Sequence, residues 1–225
     1  MLPEEARHIA DIVRKLDLGP GDSCLNIGSS TRRFREVEQP HNHRDLIAPL
    51  EEFGLRIIHC DLKPDDGVDI AGDVFDPVVR ARMAQQQARL LLCCNILEHL
   101  VDPQPFACAC ADLVRPGGYV VVSVPLSFPY HRDPIDTMLR PSPEQIADFF
   151  PGWETVHSAV VKSQTFQQEL LAQPKGVMRL VRHGLQVLLP FYRPQKWMER
   201  AHRILWLWRP YKVSVAVLRR PYGTG

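Results

Sequence analysis

Apolar residues fall into two rhythms that alternate along this chain. Ile9, Ile12, Val13 and Leu16 recur at helical spacing, which predicts an amphipathic helix ahead of a stop at Gly19-Pro20-Gly21. Cys24, Leu25 and Ile27 then make a short apolar run that predicts a strand over 23–28. Further strand-like runs stand at 55–60, closing on Asp61, at 68–71, closing on Gly72-Asp73, and at 90–94, 119–124, 153–161 and 211–219. The run at 90–94 has no polar break, as expected of a central parallel strand buried on both faces. Asn95-Ile-Leu-Glu98 has the spacing of a helix cap with its reciprocal glutamate. Ser142-Pro-Glu-Gln145 repeats that signal, with proline at the first helical position. Seven strands interleaved with helices predict one α/β domain built on a doubly wound, mostly parallel sheet.

The interval before the last strand differs. Val177, Leu180, Val181, Leu185 and Leu188 form one helical stripe, and Trp197, Met198, Ala201, Ile204, Leu205 and Trp208 form a second, with Pro190 and Pro194 between them. From Pro174 to Pro210 there are eight Lys or Arg residues and one acid, Glu199. This predicts a basic helical insertion within 164–210. Three readings stay open for it: a cover or homodimer interface, an anionic membrane surface with tryptophans at headgroup level, and nucleic-acid contact.

Composition narrows the classes. A formal net charge of +1 gives no global field for nucleic acid, so no nucleic-acid partner is expected. The acidic start, Met1-Leu-Pro-Glu-Glu, is not that of a signal peptide, and no run approaches the ~20 apolar residues of a membrane span. The six cysteines lie in apolar segments without C-x-x-C or zinc spacing, which predicts buried free thiols and a cytoplasmic setting.

Candidate chemistry centres on Gly28-Ser-Ser30 after the first strand, a turn with little side-chain bulk that lets backbone approach a ligand. A nicotinamide fingerprint fails here: Ser30 stands at the second glycine, and the first acid closing a strand is Asp61 rather than one roughly 20 residues on.

Five motifs in order resemble those of class I S-adenosylmethionine-dependent methyltransferases: Asn26-Ile-Gly-Ser-Ser-Thr-Arg32, Asp61 closing strand two, Gly72-Asp73 after strand three, Asn95-Ile-Leu-Glu-His-Leu100, and Arg115-Pro-Gly-Gly118. The resemblance covers about residues 19–162, with 211–219 as the expected last strand. It implies a seven-stranded Rossmann-like sheet binding S-adenosylmethionine. Asp61 would take the ribose hydroxyls, Asp73 the adenine amino group, and backbone near Gly28 or Asn95 the methionine ammonium. Asn26 and Ser30 would complete the cofactor site. Asn26 replaces the family's acid, and Ser30 and Arg32 replace its second and third glycines. These departures favour the alternative, a non-catalytic binding or scaffold protein on a degenerate fold.

After the fifth strand, Phe128, Tyr130, His131, Asp133 and Asp136 occupy a loop expected to overhang the ligand. Methyl transfer needs alignment, plus a base only where the acceptor carries a proton. His131 is the candidate general base for an oxygen acceptor. The Tyr-His-x-x-Pro-x-Asp loop with Arg140 resembles a bacterial branch associated with cell-surface polysaccharide synthesis. That branch implies a carbohydrate, glycolipid or other small-molecule acceptor, handled in the cytoplasm or at the inner membrane face. Asp133 and Asp136 alone make a poor metal-ligand set, so no metal is expected.

Overall fold

A computed structural model describes residues 1–130, 135–188, 197 and 201–222. Its strands are β1 (Ser23–Ile27), β2 (Arg56–Asp61), β3 (Ile70–Ala71), β4 (Ala88–Cys94), β5 (Val114–Ser127), β6 (Glu154–Thr165) and β7 (Pro210–Arg219). The α-helices are α1 (Pro3–Val13), α2 (Ala48–Glu52), α3 (Pro77–Ala84), α4 (Pro103–Asp112), α5 (Pro143–Ala147), α6 (Phe166–Ala172) and α7 (Gly176–Val187). One seven-stranded sheet runs in the order β3-β2-β1-β4-β5-β7-β6. β1 pairs in parallel with β2 and β4, and β4 with β5. β7 lies antiparallel between β5 and β6. The strand order therefore reverses between β1 and β4, and their carboxyl ends open a crevice there.

Side-chain alternation splits β4 between two apolar layers. Leu90 and Leu92 face α1, where they meet Ile9 and Val13, with Val121, Val215 and Val217 beside them. Leu91 and Cys93 face the opposite layer with Leu25, Val120 and Val122, covered by Met83 of α3, Cys110 of α4 and Ile146 of α5. A third, small cluster of Phe166, Trp206 and Tyr211 ties α6 to the last strand.

The expected strands are present, with β5 and β6 longer than their apolar runs. Ser142 caps α5 as its spacing predicts: its Oγ accepts from Gln145 N at 3.3 Å, and Gln145 Oε1 accepts from Ser142 N at 2.8 Å. Asn95 starts no α-helix. It adopts a left-handed φ of 55°, the chain makes one tight turn at Leu97–His99, and α4 begins at Pro103 with Asp102 accepting from Gln104 N at 3.1 Å. Asn suits either role, because it tolerates the left-handed region better than most residues and also caps helices. The end of β4 needs the sharp turn. The thiols are free; Cys24, Cys60, Cys93 and Cys110 are buried, Cys94 is half-buried, and Cys108 is exposed, against expectation.

Candidate active site

The crevice at the carboxyl ends of β1, β2 and β4 is a cavity of about 1010 Å³. That volume reaches the upper end of the ~300–1,000 Å³ typical of small-molecule sites. Asn26, Gly28, Ser30, Asp61 and Asn95 all line it. Asp73 lies outside that lining, exposed, with Oδ1 accepting from Phe75 N at 2.9 Å. His131 and Asp133 lie outside the described residues.

The turn after β1 is built to bring backbone forward. Gly28 has φ of 66°, and a Cβ there would stand 2.8 Å from Ile96 Cδ1. Ser30 has φ of 55°, so two left-handed residues flank the buried Ser29. Non-glycine residues enter that region at a cost of roughly 1–2 kcal/mol, which neighbouring contacts must offset. Two contacts do so. Asp61 Oδ2 accepts from Ser30 N at 2.7 Å, and the buried Arg35 guanidinium donates to Ser29 O at 3.1 Å and Ser30 O at 2.6 Å. Arg35 also reaches Gly67 O at 2.9 Å, tying the turn to the loop after β2. Arg32, at the family's third glycine, turns outward to Asp66, with Nε 3.5 Å from Oδ2, so its bulk does not fill the cavity.

One oxygen of Asp61 is thus spent on the turn. Among the described residues Oδ1 has only a 3.5 Å contact to Lys63 N and is the one available to a ligand. Asn26 Nδ2 lies 3.1 Å from His59 Nδ1. Burial, then the nearby Arg35 charge, holds His59 down at about 4, so the imidazole is neutral at pH 7 and can accept from Asn26.

Behind Asn95 sits a group that no local pattern announces. Glu5 of α1 is fully buried, and its carboxylate accepts from Asn95 Nδ2 at 2.7 Å, Ser123 Oγ at 2.6 Å and Leu2 N at 2.9 Å. It fixes the left-handed Asn95 and holds Met1, Leu2 and Pro3 on the cavity wall. Glu98 lines the same end, 1% exposed, with Oε2 left without a hydrogen-bond partner. Burial, reinforced by Glu5, pushes its carboxyl up to about 7 despite a backbone hydrogen bond that favours the anion. The loop after β5 clamps onto this turn: Thr137 N and Oγ1 donate to Glu98 O at 2.8 and 2.9 Å. Asp136 is buried and paired with Arg140 Nη1 at 2.9 Å. Phe128 lines the cavity and lies against Tyr211, ring centroids 4.7 Å apart, while Tyr130 is exposed. Glu169 of α6 closes the far wall and accepts from the Tyr211 hydroxyl at 3.0 Å.

Sheet order, switch-point crevice and strand-end carboxylate together define the Rossmann-like methyltransferase fold. Solved structures with this fold include an S-adenosylmethionine-dependent methyltransferase from Archaeoglobus fulgidus, at 14% identity and a TM-score of 0.51, covering 97% of this chain and 94% of that one. They also include a coclaurine N-methyltransferase bound to N-methylheliamine and S-adenosylhomocysteine (11%, 0.50, 95% and 72%). The cyclase SpnF shares the fold as well (13%, 0.50, 96% and 81%). Identities this low establish the fold, and a cyclase among these structures shows that the fold alone does not fix the reaction. No protein-family model and no curated protein sequence matches the chain.

Proposed function

We propose that this protein is an S-adenosylmethionine-dependent methyltransferase acting on a small acceptor, with an oxygen of a carbohydrate or glycolipid as the leading choice. The observation that carries the reading is Asp61: one oxygen holds the left-handed Gly28–Ser30 turn and the other is open to the cavity. A carboxylate beside exposed backbone, with no phosphate-binding lysine, suits the adjacent hydroxyls of a ribose. Bound there, S-adenosylmethionine supplies an electrophilic methyl on a sulfonium. The chain's own residues then have defined tasks. Gly28 admits the ligand against the backbone, Asp61 orients the ribose, and Asn26 and Asn95 offer amide groups at the methionine end. Asp73 remains the candidate for the adenine amino group, which requires the ligand to reach beyond the cavity's present lining.

On the acceptor side, a hydroxyl oxygen forms the new bond to the methyl carbon as the carbon–sulfur pair returns to sulfur, and the hydroxyl proton passes to a base. His131 is the proposed base. Phe128, Tyr211 and Glu169 offer an apolar wall with one carboxylate, suited to a sugar ring. The free thiols suit a cytoplasmic setting, and the basic 174–210 insertion suits an anionic membrane surface.

Calorimetric titration with S-adenosylmethionine and S-adenosylhomocysteine tests the cofactor. Asp61→Asn keeps an acceptor for Ser30 N but loses the charge. Micromolar binding by the native protein, weakened about tenfold or more in Asp61→Asn, is expected from the greater strength of charge-assisted bonds. Absence of binding, or equal binding by the variant, overturns the reading.

A further inference from the structure

Helix α7 turns its apolar stripe away from the protein. Val177, Met178, Val181, Leu185 and Leu188 are 69%, 65%, 56%, 58% and 75% exposed. At about 100° per residue these five share one face of the helix. The opposite side is the packed one. His183 sets its ring edge-on to Phe166, with centroids 5.0 Å apart, and Val187 O accepts from Trp197 Nε1 at 2.7 Å. Arg182 is exposed on the shoulder, about 40° round the helix from Met178, Arg179 is exposed about 60° further round toward His183, and Lys175 precedes the first turn. No acid occurs between Glu169 and Glu199.

We infer that α7 docks in the plane of an anionic lipid surface, with Val177, Met178, Val181, Leu185 and Leu188 among the acyl chains and Arg179, Arg182 and Lys175 at the phosphate level. An apolar face on a helix that carries cations and no acid is the pattern of a helix lying in a bilayer interface, where burial of the stripe and attraction of the basic residues act together. Charge complementarity selects this occupant. Two copies meeting through α7 would gather their arginines with no carboxylate on either helix to offset them. Spanning is ruled out for this segment, since no helix among the described residues is long and apolar enough to cross a membrane. Docking also has a use. α6 packs directly on α7 and carries Glu169 on the cavity wall, so the docked helix holds the cavity about two helix diameters, ~20 Å, from the lipid. An acceptor at the end of a lipid headgroup about 20 Å long would then reach the site while its acyl chains stay in the membrane.

The test is flotation of the full chain with vesicles of phosphatidylcholine alone or mixed with phosphatidylglycerol, without cofactor, so its outcome is independent of the methyl-transfer reading. The native protein is expected to float with the anionic vesicles and at least tenfold less with the neutral ones. Val181→Ser with Leu185→Ser is expected to lower the anionic partition at least tenfold, and Arg179→Gln with Arg182→Gln several-fold, both with unchanged melting temperatures. Failure of the native protein to float overturns the proposal, as does equal flotation of the serine pair. A native dimer that the serine pair dissociates would also overturn it, by assigning the face to a second copy.

Discussion

Helices α1 and α7 are near twins in length and amphipathic pattern, and they meet opposite fates. On α1, Ala6, Ile9, Ala10 and Val13 are at most 1% exposed, pressed against β4, β5 and β7. On α7 the corresponding stripe stands in solvent. Periodicity states that a face needs a cover; it does not state which cover. Charge supplies what periodicity omits. α1 mixes Glu4, Glu5 and Asp11 with Arg7, as a helix against its own protein can, whereas α7 carries only cations.

The largest effect expected is the one that separates the two helices outright. Ile9→Asp sets an unpaired charge in a fully buried position and should cost about 5 kcal/mol or more, enough to unfold a domain of ordinary stability. Leu185→Asp, at the matching place on α7, should stay within about 0.5 kcal/mol of the native protein, as exposed substitutions do. Urea unfolding of both variants measures the contrast. A loss at Leu185 comparable to that at Ile9 would mean that the α7 face is covered by its own chain.

Next in size is Glu5, the polar counterpart of that apolar face. Glu5→Ala leaves Leu2 N–H, the Asn95 amide and the Ser123 hydroxyl without their buried acceptor, at a cost of about 3–4 kcal/mol. Cofactor affinity should fall as well, because Asn95 and Leu2 form part of the cavity wall. Glu5→Gln, which keeps one acceptor oxygen, should recover part of both losses. Arg182→Ala on α7 should alter neither. An unchanged melting temperature in Glu5→Ala would show that the three donors find other partners.

What the sequence disclosed follows the same division between local and distant causes. The strands were legible because each carries a short apolar or alternating run closed by a turn, unbroken in β4, and α5 because Ser142 and Gln145 cap each other within four residues. The turns at 34–38 and 43–47, with α2, were not: Phe34 to Asp45 is mostly polar and broken by Pro40, so no stripe repeats. At the site, Asp61 was legible as the acid that closes a strand. Arg35 and Glu5 were not, since each acts on backbone or side chains that only the fold brings near; Glu5 and Asn95 are 90 residues apart in the chain. The cap reading of Asn95 failed because one residue type serves both a cap and a left-handed turn, and the end of β4 required the turn.

The smallest effect tests how far α1 reaches into the cavity. Glu98 is held at about 7, above the ordinary 4.5, by burial first and by the Glu5 charge among the lesser causes. A carboxyl raised in the folded state keeps its proton where the unfolded chain has lost it. Its contribution to stability is complete below pH 4.5 and is lost as pH climbs to about 7, a span worth roughly 3 kcal/mol. His59 runs the other way. Its folded value is about 4 against 6.5, so its contribution is complete above pH 6.5 and is lost as pH falls through 4. The two slopes oppose each other between pH 4.5 and 6.5, so these two groups largely cancel in the native protein. Glu98→Gln leaves the His59 slope, and stability should then rise with pH across that window. His59→Gln leaves the Glu98 slope, and stability should fall. Glu5→Gln removes one cause of the raised Glu98 value and should shift its loss to lower pH, whereas no carboxylate on α7 can produce a comparable shift. Melting temperatures of the three variants from pH 4 to 8 decide it: profiles parallel to the native one in all three would show that Glu98 and His59 titrate as ordinary surface groups, and that α1 ends its influence at its own apolar face.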